Sequence, residues 1–273
     1  MPSEVTRALV LAGRRQTQEP VASAAGVAHK ALAPVAGVPM ALRVIEALAA
    51  RPAVGRIGVS SDTPALVAAL AELATRAGVR TALEHHPSGR SPAASVAAYV
   101  RSLAVGETAV VTTADHPLLS AEIVDWFLRE ALQLDADVVA GAVSEVVYRR
   151  RFPTGKRTFI RLADCAISGA NLFLVRAPAA AAVADFWVHL EGARKRPWLL
   201  VSRLGARTLL RFVGGRLTLG QAVEDVSRRV HARVAVVLLP YAEAALDVDR
   251  PADLEAVEGV LRARVLENPR SAG

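Results

Sequence analysis

The 273-residue sequence contains a single cysteine, Cys165. That excludes an internal disulfide and a cysteine-cluster metal site. With no base indicated beside it, Cys165 reads as inert core rather than as a nucleophile. No uninterrupted apolar stretch approaches the roughly 18 residues of a membrane span. The opening apolar stretch is short and runs straight into Gly13-Arg14-Arg15, so no secretory signal is expected and a cytoplasmic location follows by default. There is no zinc-finger spacing and no aromatic-rich basic motif of the kind that stacks bases, so no nucleic-acid partner is expected. A Gly-x-Ser-x-Gly elbow is missing, which leaves a hydrolase triad without support. Gly214-Gly215-Arg216 lacks the Lys-Ser/Thr of a phosphate-binding P-loop. His85 and His86 are adjacent and diverge, and neither they nor His116 has a Glu or His four residues on, so they do not form a metal site.

Positive charge is plentiful. The net charge of +7 points to an anionic partner, whether acidic lipid, nucleic acid or a phosphorylated small molecule. One cluster is Arg149, Arg150, Arg151, Lys156, Arg157 and Arg161. A second comprises Arg194, Lys195 and Arg196 with Arg203, Arg207, Arg211 and Arg216.

The first half alternates strand and helix patterns. Val5, Ala8, Leu9, Val10 and Leu11 form a nearly continuous apolar run, as a strand covered on both faces requires, and it ends in Gly13. Helices are expected over 39–50, 64–76, from Ser91 or Ser95 to about Leu103, and 120–132; strands are expected over 55–60, 79–83, 108–113 and 137–143. This spacing implies an α/β fold with a mostly parallel sheet and helices on both faces. Ligands in such sheets sit beyond the carboxyl ends of the strands, which puts Gly13, the 84–91 loop and Asp115 along one edge. After Ser144, a basic stretch contains Pro153-Thr154-Gly155-Lys156, a turn that suits a hairpin. A strand over 172–175, helices over 178–189, 198–212 and 219–230, a strand over 232–239 and a closing helix to about Leu266 complete the chain. In the 198–212 helix, Arg203, Arg207 and Arg211 recur at one-turn spacing. They serve either as the solvated face of a packed helix or as a basic face toward an acceptor or an anionic membrane.

A strand ending in Gly13 and followed by Arg14, Arg15 and Lys30 suits a polyphosphate, although a βα loop with solvated cations has the same composition. Asp115 stands past a buried strand where a carboxylate can bind a divalent cation; an isolated Asp-x-Pro also serves as a turn cap. Asp247 and Asp249 are the available second carboxylates, two apart and so on one face of a regular strand. Asp249 can instead cap the helix after Pro251, and Asp253 belongs in that helix's first turn.

Leu11-Ala12-Gly13, followed by Lys30-Ala31-Leu32-Ala33-Pro34-Val35-Ala36-Gly37-Val38-Pro39-Met40, resembles the opening of the MobA-like nucleotidyltransferases. Asp115-His116-Pro117-Leu118-Leu119 is similar to that superfamily's Asp-x-Pro-Leu. The closing Asp247-Val248-Asp249-Arg250-Pro251-Ala252-Asp253-Leu254 is similar to its Asp-x-Asp-Thr-Pro-x-Asp-Leu, and Ser88 to Val96 to the base-recognition loop of the cytidylyl branch. The chain departs where Arg14 replaces a second glycine and where the loop from Arg14 to His29 is longer than usual.

The resemblance implies a Rossmann-like GT-A-type twisted sheet with a basic helical and hairpin insertion. It implies one domain over 1–273, with a core at 5–143 and 232–266 and an acceptor-side insertion at about 145–230. It implies a magnesium-dependent transfer of NMP from an NTP, CTP or GTP, to a phosphorylated acceptor. Leu11, Ala12, Gly13, Arg14, Lys30, Ser91 and Ser95 would bind the nucleotide. Lys30, Arg14 and Asp115 would act in catalysis. Asp115 and Asp249, or Asp247 in its place, would bind Mg2+, and Gly169 and Asn171 would face the acceptor. A GT-A glycosyltransferase using a nucleotide-sugar and a non-catalytic nucleotide-binding module are the alternatives.

Overall fold

The structure is a computed structural model and describes residues 5–14, 19–190 and 197–267. Arg15, Arg194, Lys195, Arg196 and the tail from Asn268 lie outside the described residues, as does the side chain of Trp198.

Strand β1 (Arg7–Leu11) is central, and its apolar run is explained by what covers it. Ala8 and Val10 face one layer, with Ile45, Leu70 and Phe127. Leu9 faces the other, with Tyr99, Val100 and Val111. Successive side chains of a strand point to opposite faces, so a strand buried on both sides has no place for polar alternation. Flanking β1 in parallel are β4 (Arg56–Ser61) and β6 (Thr108–Thr113). Outside β4 lies β5 (Ala82–Pro87), also parallel. Beyond β6 come β9 (Ala166–Arg176), antiparallel to both neighbours, then β7 (Val138–Ser144) and β10 (Val234–Leu238). The order is β10-β7-β9-β6-β1-β4-β5. Residues 145–230 thus contribute a strand to the middle of the sheet. Helices α2 (Met40–Ala49), α3 (Pro64–Arg76) and α5 (Ala121–Leu132) cover one face; α4 (Pro92–Ser102) and α7 (Ala180–Leu190) cover the other.

Several local expectations change. The strand expected at 79–83 lies later, because β5 takes its register from β4, with Arg56 opposite Ala82 and Ser61 opposite Pro87. Gly78, at φ 81°, ends α3, and the next residues only approach the sheet. Pro153–Lys156 is not the hairpin turn. It follows helix α6 (Glu145–Arg151), whose N-cap Ser144 accepts from the Val147 N–H. The hairpin pairs β8 (Ile160–Arg161) with β9 and turns at residues 162–165, where the Leu162 N–H donates to the Cys165 carbonyl at 2.7 Å. Cys165 is therefore half-buried in a turn and not core. The single helix expected over 198–212 is two, α8 (Pro197–Ser202) and α9 (Ala206–Val213), broken at Gly205 with φ 118°. Arg203 sits in the break, so Arg203, Arg207 and Arg211 do not share one helical stripe.

A third apolar cluster serves the working edge. It joins Val21, Ala33, Val35 and Met40 from the loop after β1 to Leu118, which follows Asp115, and to Val248 and Val257 near the C-terminus. Val21 belongs to α1 (Pro20–Ala25), Val35 to the short β2–β3 ribbon (Pro34–Val35 and Val38–Pro39), and Val257 to α11 (Pro251–Glu267).

Tyr99 ties α4 to β1, its hydroxyl donating to the buried Ala8 carbonyl at 3.2 Å. Burial pushes its phenol up to about 12 from 10.0. Tyr99→Phe should cost about 1 kcal/mol in urea unfolding at neutral pH. Above pH 10 an unfolded tyrosine ionises and the folded one does not, so the wild-type advantage should shrink as pH rises toward about 12.

Candidate active site

Because β1, β4, β5 and β6 run parallel, their carboxyl ends share one edge. A cleft of ≈ 1040 Å³ lies there. Leu11, Ala12, Gly13, Arg14 and Lys30 line it, and so do Ser91, Ser95, Asp115, Asp247 and Asp249. Gly169 and Asn171 are not among its described lining residues.

The loop after β1 is drawn tightly against the β4 and β5 ends. The Ala12 N–H donates to the Ser60 carbonyl at 2.8 Å, and the Arg14 N–H to Asp62 Oδ2 at 2.7 Å. A Cβ on Gly13 would stand 2.6 Å from Ser88 Oγ, so this approach has no room for a side chain as it stands. The Arg14 guanidinium donates to the Ala28 carbonyl and lies 4.0 Å from Glu19. Glu19 also accepts from the Lys30 N–H at 2.9 Å. His29 caps the short 3-10 turn Lys30–Leu32, its Nδ1 accepting from the Ala31 N–H at 3.0 Å. In the neutral ring the proton is then on Nε2. Burial lowers the His29 pKa despite nearby Glu19, favouring that neutral form.

Lys30 is where the three motifs meet. Its ammonium donates to Asp115 Oδ2 at 2.8 Å and to Asp249 Oδ1 at 3.0 Å. The Lys30 and Asp115 side chains are 18% and 17% exposed and that of Asp249 is 55%. Burial disfavours the Lys30 charge, but Asp115 and Asp249 together outweigh it and its pKa is raised. The backbone locks the two carboxylate segments together, the Val248 N–H donating to the Asp115 carbonyl at 2.9 Å. Asp253, in the first turn of α11, accepts from the Asp249 and Arg250 N–H groups, so Asp249 keeps its own carboxylate for Lys30. His116, beside Asp115, is pushed down to about 4 by burial and brings no charge at neutral pH.

Asp247 does not share a face with Asp249. The segment is irregular, and Asp247 turns to the other wall, where it pairs with Arg157 and accepts from Asn171 Nδ2 at 3.2 Å. Arg157 also donates to Ser168 Oγ at 2.8 Å and to the Gly169 carbonyl at 3.1 Å. Asn171 has φ 48° at the point where the β7–β9 register shifts. Asparagine tolerates this left-handed conformation, and the irregularity re-aims its side chain. Gly169 and Asn171 thus stand behind Arg157 and Asp247.

Ser91 and Ser95 line the cleft, but their hydroxyls already serve the loop. Ser91 caps α4 by accepting from the Ala94 N–H at 3.2 Å; Ser95 Oγ accepts from the Gly89 N–H at 2.9 Å. Glu19 and Asp62 are additions to the sequence reading; Ser88 opens the loop that the resemblance singles out, and Arg157 belongs to the first basic cluster. For Asp62 a signal existed: it follows a strand expected in the sheet, as Asp115 does. Nothing in the sequence pairs Arg157 with Asp247, which lies 90 residues on.

A family profile for the MobA-like NTP transferase domain matches residues 8–199. Among solved structures, a hypothetical transferase from Thermus thermophilus is 30% identical with a TM-score of 0.72, the match covering 91% of this chain and 98% of that one. The 4-diphosphocytidyl-2C-methyl-D-erythritol synthase of Anaerococcus prevotii is 10% identical with a TM-score of 0.56, over 94% and 97% of the two chains. A CMP:2-keto-3-deoxy-manno-octonic acid synthetase complexed with CTP is 14% identical with a TM-score of 0.55, over 94% and 98%. The last two share the fold. No curated protein sequence matches the chain.

If Arg157 and Asp247 act as one unit, Arg157→Met and Asp247→Asn should each cost about 1–3 kcal/mol, and the double variant clearly less than the sum. Urea unfolding of the four proteins measures the coupling; additivity would mean that the pair does not hold this wall.

Proposed function

We propose, from the premise that the chain belongs to the MobA-like NTP transferase family, that it transfers NMP from a nucleoside triphosphate to a phosphorylated acceptor and releases pyrophosphate. CTP is the first choice of donor, because two nucleotidyltransferases of this fold are described as a CTP complex and a diphosphocytidyl synthase; GTP is the second. The observation that carries the reading is the meeting of Lys30, Asp115 and Asp249 on one edge of the cleft.

The donor set fits magnesium, a hard cation that takes one or two protein carboxylates and completes its shell with phosphate oxygens and water. Asp115 and Asp249 already converge on a single cation, and they are the residues that would hold it. Magnesium bound there would neutralise triphosphate charge and polarise the α-phosphate. The chain's own groups do the rest. Gly13 admits the triphosphate close to the backbone, Lys30 and Arg14 offer positive charge to its phosphates, and the 88–91 loop borders the base. On the opposite wall Arg157 fixes Asp247, and Lys156 stands exposed without an ion pair among the described residues, placed for an anionic acceptor. No covalent nucleophile is needed; positioning and charge stabilisation carry the rate.

A peripheral contact with an anionic membrane rests on α9. There Leu210 and Val213 are 74% and 75% exposed, with Arg207 beside them and Arg203 and Arg216 close in sequence. No helix among the described residues is long and apolar enough to cross a membrane. Vesicles rich in phosphatidylserine should sediment the wild type and lose a Leu210→Glu/Val213→Glu variant; equal recovery of both removes the contact.

With CTP or GTP, magnesium and a panel of phosphorylated sugars and polyols, Asp115→Asn and Asp249→Asn should each lower pyrophosphate release at least about 100-fold. Asp247→Asn should lower it less. A reversed order of Asp247 and Asp249 would make Asp247 the ligand. Undiminished release from Asp115→Asn would remove that residue from the reaction.

A further inference from the structure

The backbone around Lys30 is fixed by hydrogen bonds of its own. Glu19 holds the Lys30 N–H, His29 caps its turn, and the Asp115 and Asp249 segments are tied through Val248. The movable part is the lysine side chain. Its ammonium stands at charge-assisted hydrogen-bond distance from both carboxylates, 2.8 Å and 3.0 Å. One ammonium therefore bridges both acidic groups and offsets half of their charge, at the oxygens a divalent cation would occupy.

We infer that Lys30 is an internal counter-ion that holds the metal's place until the triphosphate arrives, so that metal binds Asp115 and Asp249 with the nucleotide and not before it. This rests on the proposed metal role of those carboxylates. An ammonium and a divalent cation cannot both lie between them, because like charges at such separations repel. Without nucleotide, a metal must expel Lys30 from both carboxylates at once. A triphosphate along the same loop offers the lysine a polyanion in exchange. Moving Lys30 from the carboxylates to the phosphates frees the carboxylates and strengthens nucleotide binding in one step. Metal and nucleotide then promote each other's binding by the same factor. Lys30 in this role positions the metal by leaving.

Manganese binding followed by electron paramagnetic resonance, without turnover, tests this. In the absence of nucleotide, Lys30→Gln should bind Mn2+ at least tenfold more tightly than the wild type. That gain should vanish in Lys30→Gln/Asp249→Asn. A non-hydrolysable CTP or GTP analogue should tighten Mn2+ binding strongly in the wild type and much less in Lys30→Gln. The wild-type arm needs no variant: Mn2+ alone should leave its melting temperature unchanged, while Mn2+ with the analogue should raise it by more than the analogue alone. Equal Mn2+ affinities of wild type and Lys30→Gln without nucleotide would overturn the counter-ion role and leave the carboxylates as metal ligands. If neither protein binds Mn2+ beyond what the free analogue binds, the metal reading itself fails, and this inference with it.

Discussion

The ammonium of Lys30, shared between Asp115 and Asp249, is the contact on which the working edge depends. Its partners lie 85 and 219 residues away along the chain. Such a contact is held by what surrounds it, since an ion pair in partial contact with water contributes little by itself. The surrounding structure is the apolar cluster of Val21, Ala33, Val35, Met40, Leu118, Val248 and Val257. It packs the loop after β1, the segment after β6 and the closing helix against one another. The charged groups are the polar rim of that small core, and the parallel strands beneath set their spacing.

The two walls of the cleft follow a division of labour between the paired carboxylates of the closing motif. Asp249 faces Lys30; Asp247 is bound by Arg157 and Asn171. Two residues apart on a regular strand would point the same way. Here the chain is turning into α11, so the pair spans the cleft and links the Lys30 wall to the Arg157 wall. β9, in the middle of the sheet, carries Ser168, Gly169 and Asn171 to that far wall.

What the sequence made legible was the part written in buried strands. The apolar run before Gly13 and the run before Asp115 mark strand ends, and strand ends in a parallel sheet mark the ligand edge. The mostly parallel sheet with helices on both sides follows from the same pattern, and so does the recognition of the family from motifs at those ends. Features set by tertiary pairing were not legible. The position of β5 comes from β4, and the length of β9 from having a partner on each side. The start of α6 was hidden in a basic stretch whose Ser144 cap gives no strong local signal beside Pro153 and Gly155. Gly205 falls inside the amphipathic pattern of the helix expected over 198–212, yet its φ of 118° breaks that helix. A helix start at Ser91 or Ser95 is legible and Ser91 is the cap, while the bond from the Gly89 N–H to Ser95 Oγ, which shapes the loop lining the cleft, is not.

The central claim is that the edge gathered around Lys30 is a nucleoside triphosphate site that depends on a divalent cation. A thermal-shift screen of CTP, GTP, ATP and UTP, each with and without magnesium, tests it most directly. A triphosphate at about 100 times its dissociation constant should stabilise the protein by about 2.7 kcal/mol. The account predicts a clear rise in melting temperature with CTP or GTP that needs magnesium and disappears with a chelator. No response to any of the four, or a response that magnesium does not change, would contradict it.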